Sequence, residues 1–469
     1  MPQDTYFLNA KEALRVAQEQ NRFGENNNLL QLCYYDGEKI ESDLVNLIHS
    51  PIERLLEDLA LGEYRFPKEI NFSGLEVSSE VQRQVEQNFH QTVEYAKIYR
   101  DDANKQHYKQ LISASPDFHE PLRFYLMASD KTDVLQYVSK GIADTLKDMG
   151  YAVLFKLYHG IEDMNYLKDM VDFNPHVQIN INHFHNHYLN DAIFNIIWIQ
   201  DPVAFLTKET GIKLRKRDFI FTLVKEFEEL LEKKGINSTR QSFCLNQKEY
   251  RVDANVQREK KIVFIGSSYT ELIAGCGDIS ELINYLSQAF QDGITFTPQK
   301  VAEIAKAFSI TQTELTTSII PYVVRDVSVI MLCNMETEYS IEIYGKGWDI
   351  YESVKPYYKG KLSYGAEIAK IYSSATYAFS PHTEYILQQR VFEATACGAI
   401  PILYDCREFT DEESYEEALL YFKTPQDLQE ILSAPEPPKR DFTRLLSENS
   451  YERFVEKILA IIETETKDG

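Results

Sequence analysis

Several stretches carry residue types at spacings that could do chemistry. In "RVFEATACGAIPILYD", Arg390 and Glu393 stand three residues apart in a helix pattern of small and apolar residues that Gly398 closes. On a helix they share a face with Ala394 and Cys397. A carboxylate accepts hydrogen bonds through both oxygens, which suits a pair of sugar hydroxyls. A guanidinium binds two phosphate oxygens with its planar fork. The competing reading is a plain intrahelical ion pair worth about 0.2–0.5 kcal/mol. The preceding "SPHTEY" (380–385) puts backbone N–H groups at a helix entry, where an anion can sit. His382 in that segment reads as a contact to such a ligand or as a structural histidine. "IEIYGKGW" ends a strand at Gly345 and follows it with Lys346 and Gly347, a pattern that allows close backbone approach to a ligand and also occurs in ordinary turns.

Another cluster is "NINHFHNHYLND", with His183, His185 and His187 at period two. Extended as a strand they line one face. Three readings stay open: a zinc site, histidines of a loop beyond the strand end, or one cleft-lining histidine acting as base. His185 is the central choice for a base, and Asp201, closing "IIWIQD", is its rival. Asp201 also reads as a turn residue before Pro202. "SDKTD" (129–133) is a minor site candidate, with Thr132 as a helix cap.

The elements that must position these residues alternate. From about residue 123, apolar strand runs ("RFYLMAS", "YAVLFKLY", "HVQININH", "IIWIQD", "FIFTLV", "SFCL") are interleaved with helices, and after a polar linker (246–260) a second run opens with "KIVFIGS". Near-continuous apolar strands separated by helices indicate parallel sheets covered on both faces, an α/β class. The expected division is a helical N-terminal domain (1–119), an α/β domain (120–250), a second α/β domain (251–440) and a final amphipathic helix (441–469). Ligands of such sheets bind at the carboxyl ends of the strands.

The 469 residues carry a net charge of −23, which disfavours nucleic acid and anionic lipid as partners. The basic run "KLRKRD" (213–218) reads as a solvated loop. Six scattered cysteines without a CxxC pair point to reduced thiols, hence a cytoplasmic protein. No signal peptide is evident, and the longest apolar runs fall short of the ~20 residues of a membrane span. No GxGxxG follows the first strand of either domain and no GxxxxGK[ST] occurs, which argues against a dinucleotide enzyme and a P-loop NTPase.

The segments "KKIVFIGS", "IEIYGKGW", "KGKLSYGAEIAKIYSSATYAFSP" and above all "RVFEATACGAIPILYD" resemble the C-terminal domain of GT-B glycosyltransferases, in particular the CgeB-like spore-maturation group. "IIWIQDP" and the stretch from "FIFTLV" to "FCLNQKEY" resemble that family's N-terminal domain more loosely. The resemblance implies two Rossmann-like domains facing a cleft. It implies transfer of a sugar from a nucleotide-diphospho-sugar to a glycan or protein acceptor, without a metal or other cofactor. On the matching positions Glu393 would hold the ribose, Arg390 the diphosphate, and Gly345, Lys346 and Gly347 the nucleotide. The loop of His382, Thr383 and Glu384 would face the sugar, and the last helix would cross back to the acceptor domain. Two departures stand out. Tyr385 occupies the place where many retaining members have a glutamate, and "GSSYTE" (266–271) lacks the basic residues that follow the first strand in those enzymes. The remaining suppliers of positive charge or N–H dipoles are Arg390, Lys346, Arg325 and the backbone of Gly266, Ser267 and Ser268. Stereochemical outcome stays open. The alternatives are a nucleotide-sugar epimerase and a non-catalytic donor-binding subunit, whose partner protein would dock on the N-terminal helical region.

Overall fold

The computed structural model describes residues 5–22, 31–34, 46–49, 52–61, 66–67, 69–74, 78–129, 132–158, 165–203, 206, 213–383, 385–408 and 410–467. It has the expected α/β architecture: two Rossmann-like sheets behind a mainly helical N-terminal region.

The first of the two sheets joins β5 (Arg123–Ser129), β6 (Ala152–Tyr158), β7 (Val177–Ile181), β8 (Phe194–Ile199), β9 (Asp218–Thr222) and β10 (Thr239–Arg240), in the order β10-β9-β8-β7-β5-β6. The second joins β11 (Glu259–Ile265), β12 (Ser340–Tyr344), β13 (Tyr358–Gly360), β14 (Ala375–Ser380), β15 (Ile400–Tyr404) and β16 (Leu420–Phe422), in the order β13-β12-β11-β14-β15-β16. All pairings in both are parallel. Every residue of β7, β8 and β15 is buried, as the apolar runs require of strands covered on both faces. The second sheet has the doubly wound 3-2-1-4-5-6 order, with its switch point between the neighbours of β11. The first reverses beside β5. Chain ends at these points leave crevices over the carboxyl ends of β11 and β14, and of β5 and β7.

The N-terminal region holds a 35-residue helix, Ser79–Ser113. Its N-cap is Ser78, whose hydroxyl accepts from the Val81 N–H. A four-stranded parallel sheet not expected from the sequence accompanies it: β1 (Thr5–Phe7), β2 (Gln31–Tyr34), β3 (Asn46–His49) and β4 (Glu69–Asn71), ordered β3-β2-β1-β4. Strands of three or four residues are too short to show a period of two.

Two further expectations are corrected. "SFCL" is not a strand. The Leu245 N–H goes to the Asn449 carbonyl, and Tyr451 N–H returns to Leu245 O, so this backbone meets the crossing C-terminal segment instead of a sheet. The helical stretch Gln312–Cys333 is apolar and long enough to span a membrane, but it turns Leu315, Ile319, Val323 and Leu332 into the core and exposes Gln312, Thr313, Thr316 and Thr317. The final helix, Tyr451–Lys467, buries Tyr451, Phe454, Val455, Ile458 and Ile462 in the core of the first sheet, so the chain crosses back. At that crossing the Tyr451 ring lies 2.5 Å from where a Cβ on Gly141 would stand, so only glycine fits there.

Candidate active site

At the switch point of the second sheet, the turn after β11 is knitted to the turn after β12. Gly266 N–H donates to Tyr344 O at 2.9 Å, Ser268 N–H to Lys346 O at 2.9 Å, and the Trp348 indole N–H to Gly266 O at 2.7 Å. Gly345 has φ +133°, and a Cβ there would lie 2.0 Å from Gly266 O. Its glycine therefore serves the approach of one strand-end turn to the other. The same bonds consume the Gly266 and Ser268 N–H groups, which corrects their expected use for a phosphate. Lys346 leaves its side chain exposed.

Beneath this turn lies Asp326, fully buried. Its carboxylate accepts from Ser268 Oγ (2.5 Å), Tyr269 N–H (3.0 Å) and Tyr351 OH (2.8 Å). Burial raises its carboxyl above the ordinary range despite these donors. Its neighbour Arg325 turns the other way. The guanidinium stacks over the Tyr269 ring at 3.8 Å from the centroid, and its Nη1 is 3.5 Å from Ser267 O. Arg325 Nε is buried without a partner among the described residues. Both residues come from a helix that widens into π-helical turns at Leu315–Ile319 and Val323–Val327, around Pro321. Proline has no N–H to give and crowds the carbonyl four residues back, so the turns on either side open.

From the other side of the switch point, β14 delivers Ser380, Pro381, His382 and Thr383; Glu384 lies outside the described residues. The His382 ring stands 4.6 Å from that of Tyr385. Burial and the Arg325 charge push the imidazole down to about 3, so it is neutral at physiological pH. The anion at the following helix entry is supplied by the chain itself: the Ile386 and Leu387 N–H groups both donate to the Glu412 carboxylate, the second at 3.3 Å. Burial raises the Glu412 carboxyl.

Arg390 and Glu393 do not face separate parts of a ligand in this structure, contrary to expectation. Arg390 Nη1 lies 2.5 Å from Glu393 Oε2, with side-chain exposures of 22% and 0%. The guanidinium also rests 4.9 Å over Tyr364, whose ring stacks at 4.9 Å on Tyr137 of the first α/β unit. The pair therefore lies at the seam between the two sheets. Glu393 Oε1 is buried with no close hydrogen bond among the described residues, although the side chains of Tyr250 and Gln389 lie near the carboxylate.

In the first α/β unit the histidines are not on a strand. β7 ends at Ile181, and Asn182 and His185 adopt positive φ (61° and 45°), which breaks the alternation. His185 packs against Tyr166 and Tyr188, with both ring centroids 6.0 Å away. Burial, aided by His183 and His187, pushes it down to about 3. Among the described residues, no three of His, Cys, Asp and Glu converge as a metal-holding group. Asp201 is exposed at the carboxyl end of β8. Asn182 Nδ2 donates to its Oδ2 at 2.6 Å, and Asn182 Oδ1 accepts the Gln200 and Asp201 N–H groups at 2.8 and 3.1 Å. Thr132 occupies an N-cap position, but its hydroxyl donates to Ser129 O at 3.2 Å. In the basic run, Arg215 pairs with buried Asp218 and Arg217 lies over Phe118 and Phe194, so both are structural and stand at the amino end of β9.

The structure thus brings Arg325, His382, Tyr385 and the Gly266–Tyr269 turn together, and leaves His185 in a separate packing cluster. Sequence reasoning counts Arg325 as one of several charge suppliers and misses Asn182, Asp326 and Glu412. An aspartate inside the apolar run "VVRDVSVIM" was the available signal for Asp326. Glu412, in "TDEESYEE", reads as one more solvated acid.

Residues 328–460 match the protein-family model described as "Glycosyl transferase-like". That segment covers β12 to β16 and most of the crossing helix. No curated protein matches the chain. Among solved structures, the chain is similar to a glycosyltransferase involved in avilamycin A biosynthesis (11% identity, 72% of this chain and 96% of that one, TM-score 0.44). It is also similar to a sucrose-phosphate synthase from Thermosynechococcus elongatus (11% identity, 74% and 98%, TM-score 0.39). An alpha-glucosyltransferase solved with UDP and a 13-mer DNA is a third (12% identity, 71% and 94%, TM-score 0.38).

Proposed function

We propose that the protein is a glycosyltransferase that holds a nucleotide-diphospho-sugar over the carboxyl ends of β11 and β14 and passes the sugar to an acceptor hydroxyl, of a glycan or a protein, over the first sheet. One observation carries the reading. Arg325 is held over Tyr269 at the switch-point turn, beside the His382 loop, near enough to that turn to supply the charge that "GSSYTE" itself lacks. In the reaction the bond from the sugar anomeric carbon to the diphosphate oxygen breaks, a bond to the acceptor oxygen forms, and the acceptor proton passes to a base. Charge grows on the diphosphate as it leaves. A half-buried guanidinium aimed there stabilises it far more than it would in water. Neutral His382 offers a hydrogen bond without competing charge. Asp201 is the better placed base, because Asn182 fixes one of its oxygens while the side chain stays open to solvent. His185, held neutral by its surroundings, is a weak one. Glu393, buried and paired with Arg390, takes the ribose role that the resemblance assigns only once that pair opens.

Calorimetric titration with nucleoside diphosphates and the matching nucleosides tests this. Losing a charge-assisted hydrogen bond costs about 1.5–3 kcal/mol, so Arg325→Ala should weaken the diphosphates about tenfold or more and leave nucleosides nearly unchanged. Equal loss for both, or no binding of any diphosphate to the parent protein, would sink the donor assignment. A second reading, a donor-binding subunit without turnover, is favoured by Glu412 occupying the loop N–H groups. Sugar transfer or donor hydrolysis that Asp201→Asn abolishes would exclude it.

A further inference from the structure

Against the loop that carries His382, the second α/β unit contains a cavity of about 460 Å³, with Thr383 in its wall. That is within the ~300–1,000 Å³ range of small-molecule sites. Its floor is apolar: Phe296, Val301, Ile320 and Tyr404 are all buried. Its rim is polar and uncharged, with Gln312, Thr313 and Thr316 exposed. Among the described residues, no charged side chain lines it. Two further observations converge here. Thr383 lines the cavity, and its Oγ1 is buried with no hydrogen-bond partner among the described residues. The helix that supplies Thr316 and Ile320 is π-widened at Leu315–Ile319, on the stretch that forms this wall. π-turns inside helices recur at functional sites, and an orphan buried hydroxyl needs an explanation.

We infer that this cavity binds an uncharged group with a hydrocarbon body and one hydrogen-bonding oxygen, the oxygen meeting Thr383 and the hydrocarbon lying on Val301, Ile320 and Tyr404. Charged ligands are disfavoured because none of the described lining residues compensates a desolvated charge. The group is either the alkyl or acyl part of a sugar-bearing substrate or a separate uncharged small molecule. Because the cavity backs onto Thr383, its occupant touches the same loop that carries His382. The inference does not require the cleft to transfer a sugar.

The test titrates the full chain calorimetrically with butyl, hexyl and octyl glucoside below their micelle concentrations, with methyl glucoside, and with the matching free alkanols. Affinity should rise with chain length, by up to about fourfold per buried methylene, at one site per chain. Thr383→Val should weaken binding severalfold while the length dependence persists. Ile320→Trp, which fills the floor, should abolish it, and Thr316→Trp at the exposed rim repeats the block where folding is not at risk. Alkanols binding alongside the glucosides identify a separate small molecule; glucosides binding alone identify part of a sugar-bearing substrate. No length-dependent binding to the parent protein overturns the inference, as does binding that both tryptophan variants leave unchanged. Nucleoside diphosphate titrations on the same variants read the donor site separately.

Discussion

The Arg390–Glu393 pair is the sharpest place to test how this site is held. The carboxylate is completely buried and the guanidinium keeps 22% of its side chain exposed. Removing one partner of a buried pair strands the other, at about 3–5 kcal/mol. Arg390→Met strands the carboxylate, which has no water to turn to, so its cost belongs near the top of that range. Glu393→Leu strands a guanidinium that still reaches solvent and the Tyr364 ring. It belongs near the bottom, about 3 kcal/mol. The double variant removes both charges and should recover most of the loss, because apolar replacements of a buried pair are often neutral. The expected coupling is therefore above about 2 kcal/mol, well outside the additivity of distant sites. Urea unfolding of the four proteins, compared at equal m-values, measures it. If both single variants unfold within about 0.5 kcal/mol of the parent, or the double loses the sum of the singles, the pair does not hold the seam.

Two other predictions follow from the same geometry. Gly345→Ala combines positive φ with a 2.0 Å overlap on Gly266 O and should cost about 2–4 kcal/mol, whereas Gly360→Ala, at φ +92° with nothing within 4 Å, should cost about 1 kcal/mol; equal shifts in thermal midpoint would contradict the knitted turns. His185 and His382 both sit near 3 when folded, against about 6.5 unfolded. The stability they contribute is complete above about pH 6.5 and falls as pH drops toward 3, because the unfolded chain takes up protons that the folded one refuses. The ceiling is about 1.4 kcal/mol per pH unit for each, lowered by their partial exposure. The buried carboxyls of Asp326, Glu393 and Glu412, all raised, act in the opposite sense. Replacing both histidines by glutamine should flatten the fall in urea midpoint between pH 7 and 5, and an unchanged slope would contradict their burial.

The α/β frame was legible because β7, β8 and β15 are apolar along their whole length, a signal that survives without any contact information. The crossing helix was legible from its single apolar stripe. Short strands such as β1 and β4 were not, since three residues carry no period. The histidines misled because HxHxH matches strand alternation, while the left-handed turns at Asn182 and His185 that end the strand leave no mark in an alternating pattern. At the site, the spacing of Arg390 and Glu393 allowed an ion pair or two ligand contacts. Complete burial of the carboxylate decides between them, and burial depends on residues far away in sequence, among them Tyr364. Arg325 was visible as a charge, but its aim is set by the π-turns around Pro321 and by Asp326 anchoring the neighbouring turn.

The loop of Asp411 and Glu412 touches both α/β units, and magnitudes decide to which it belongs. Asp411 pairs with Arg240 of the first α/β unit at 3.3 Å, with side-chain exposures of 46% and 27%. A cavity of about 230 Å³ lies between these residues, Lys225 and Tyr385. An exposed bridge of that kind is worth about 0–1 kcal/mol and weakens with salt. Glu412, one residue on, accepts two backbone N–H groups and the Thr410 hydroxyl in a buried site. Hydrogen bonds to a charged group contribute about 1.5–3 kcal/mol each. The stronger ties therefore hold the loop to the second sheet, and the Ile386 and Leu387 N–H groups are covered by Glu412. On the proposed donor reading, positive charge for a phosphate comes from Arg325 and Lys346, and not from the helix entry that the sequence first suggests.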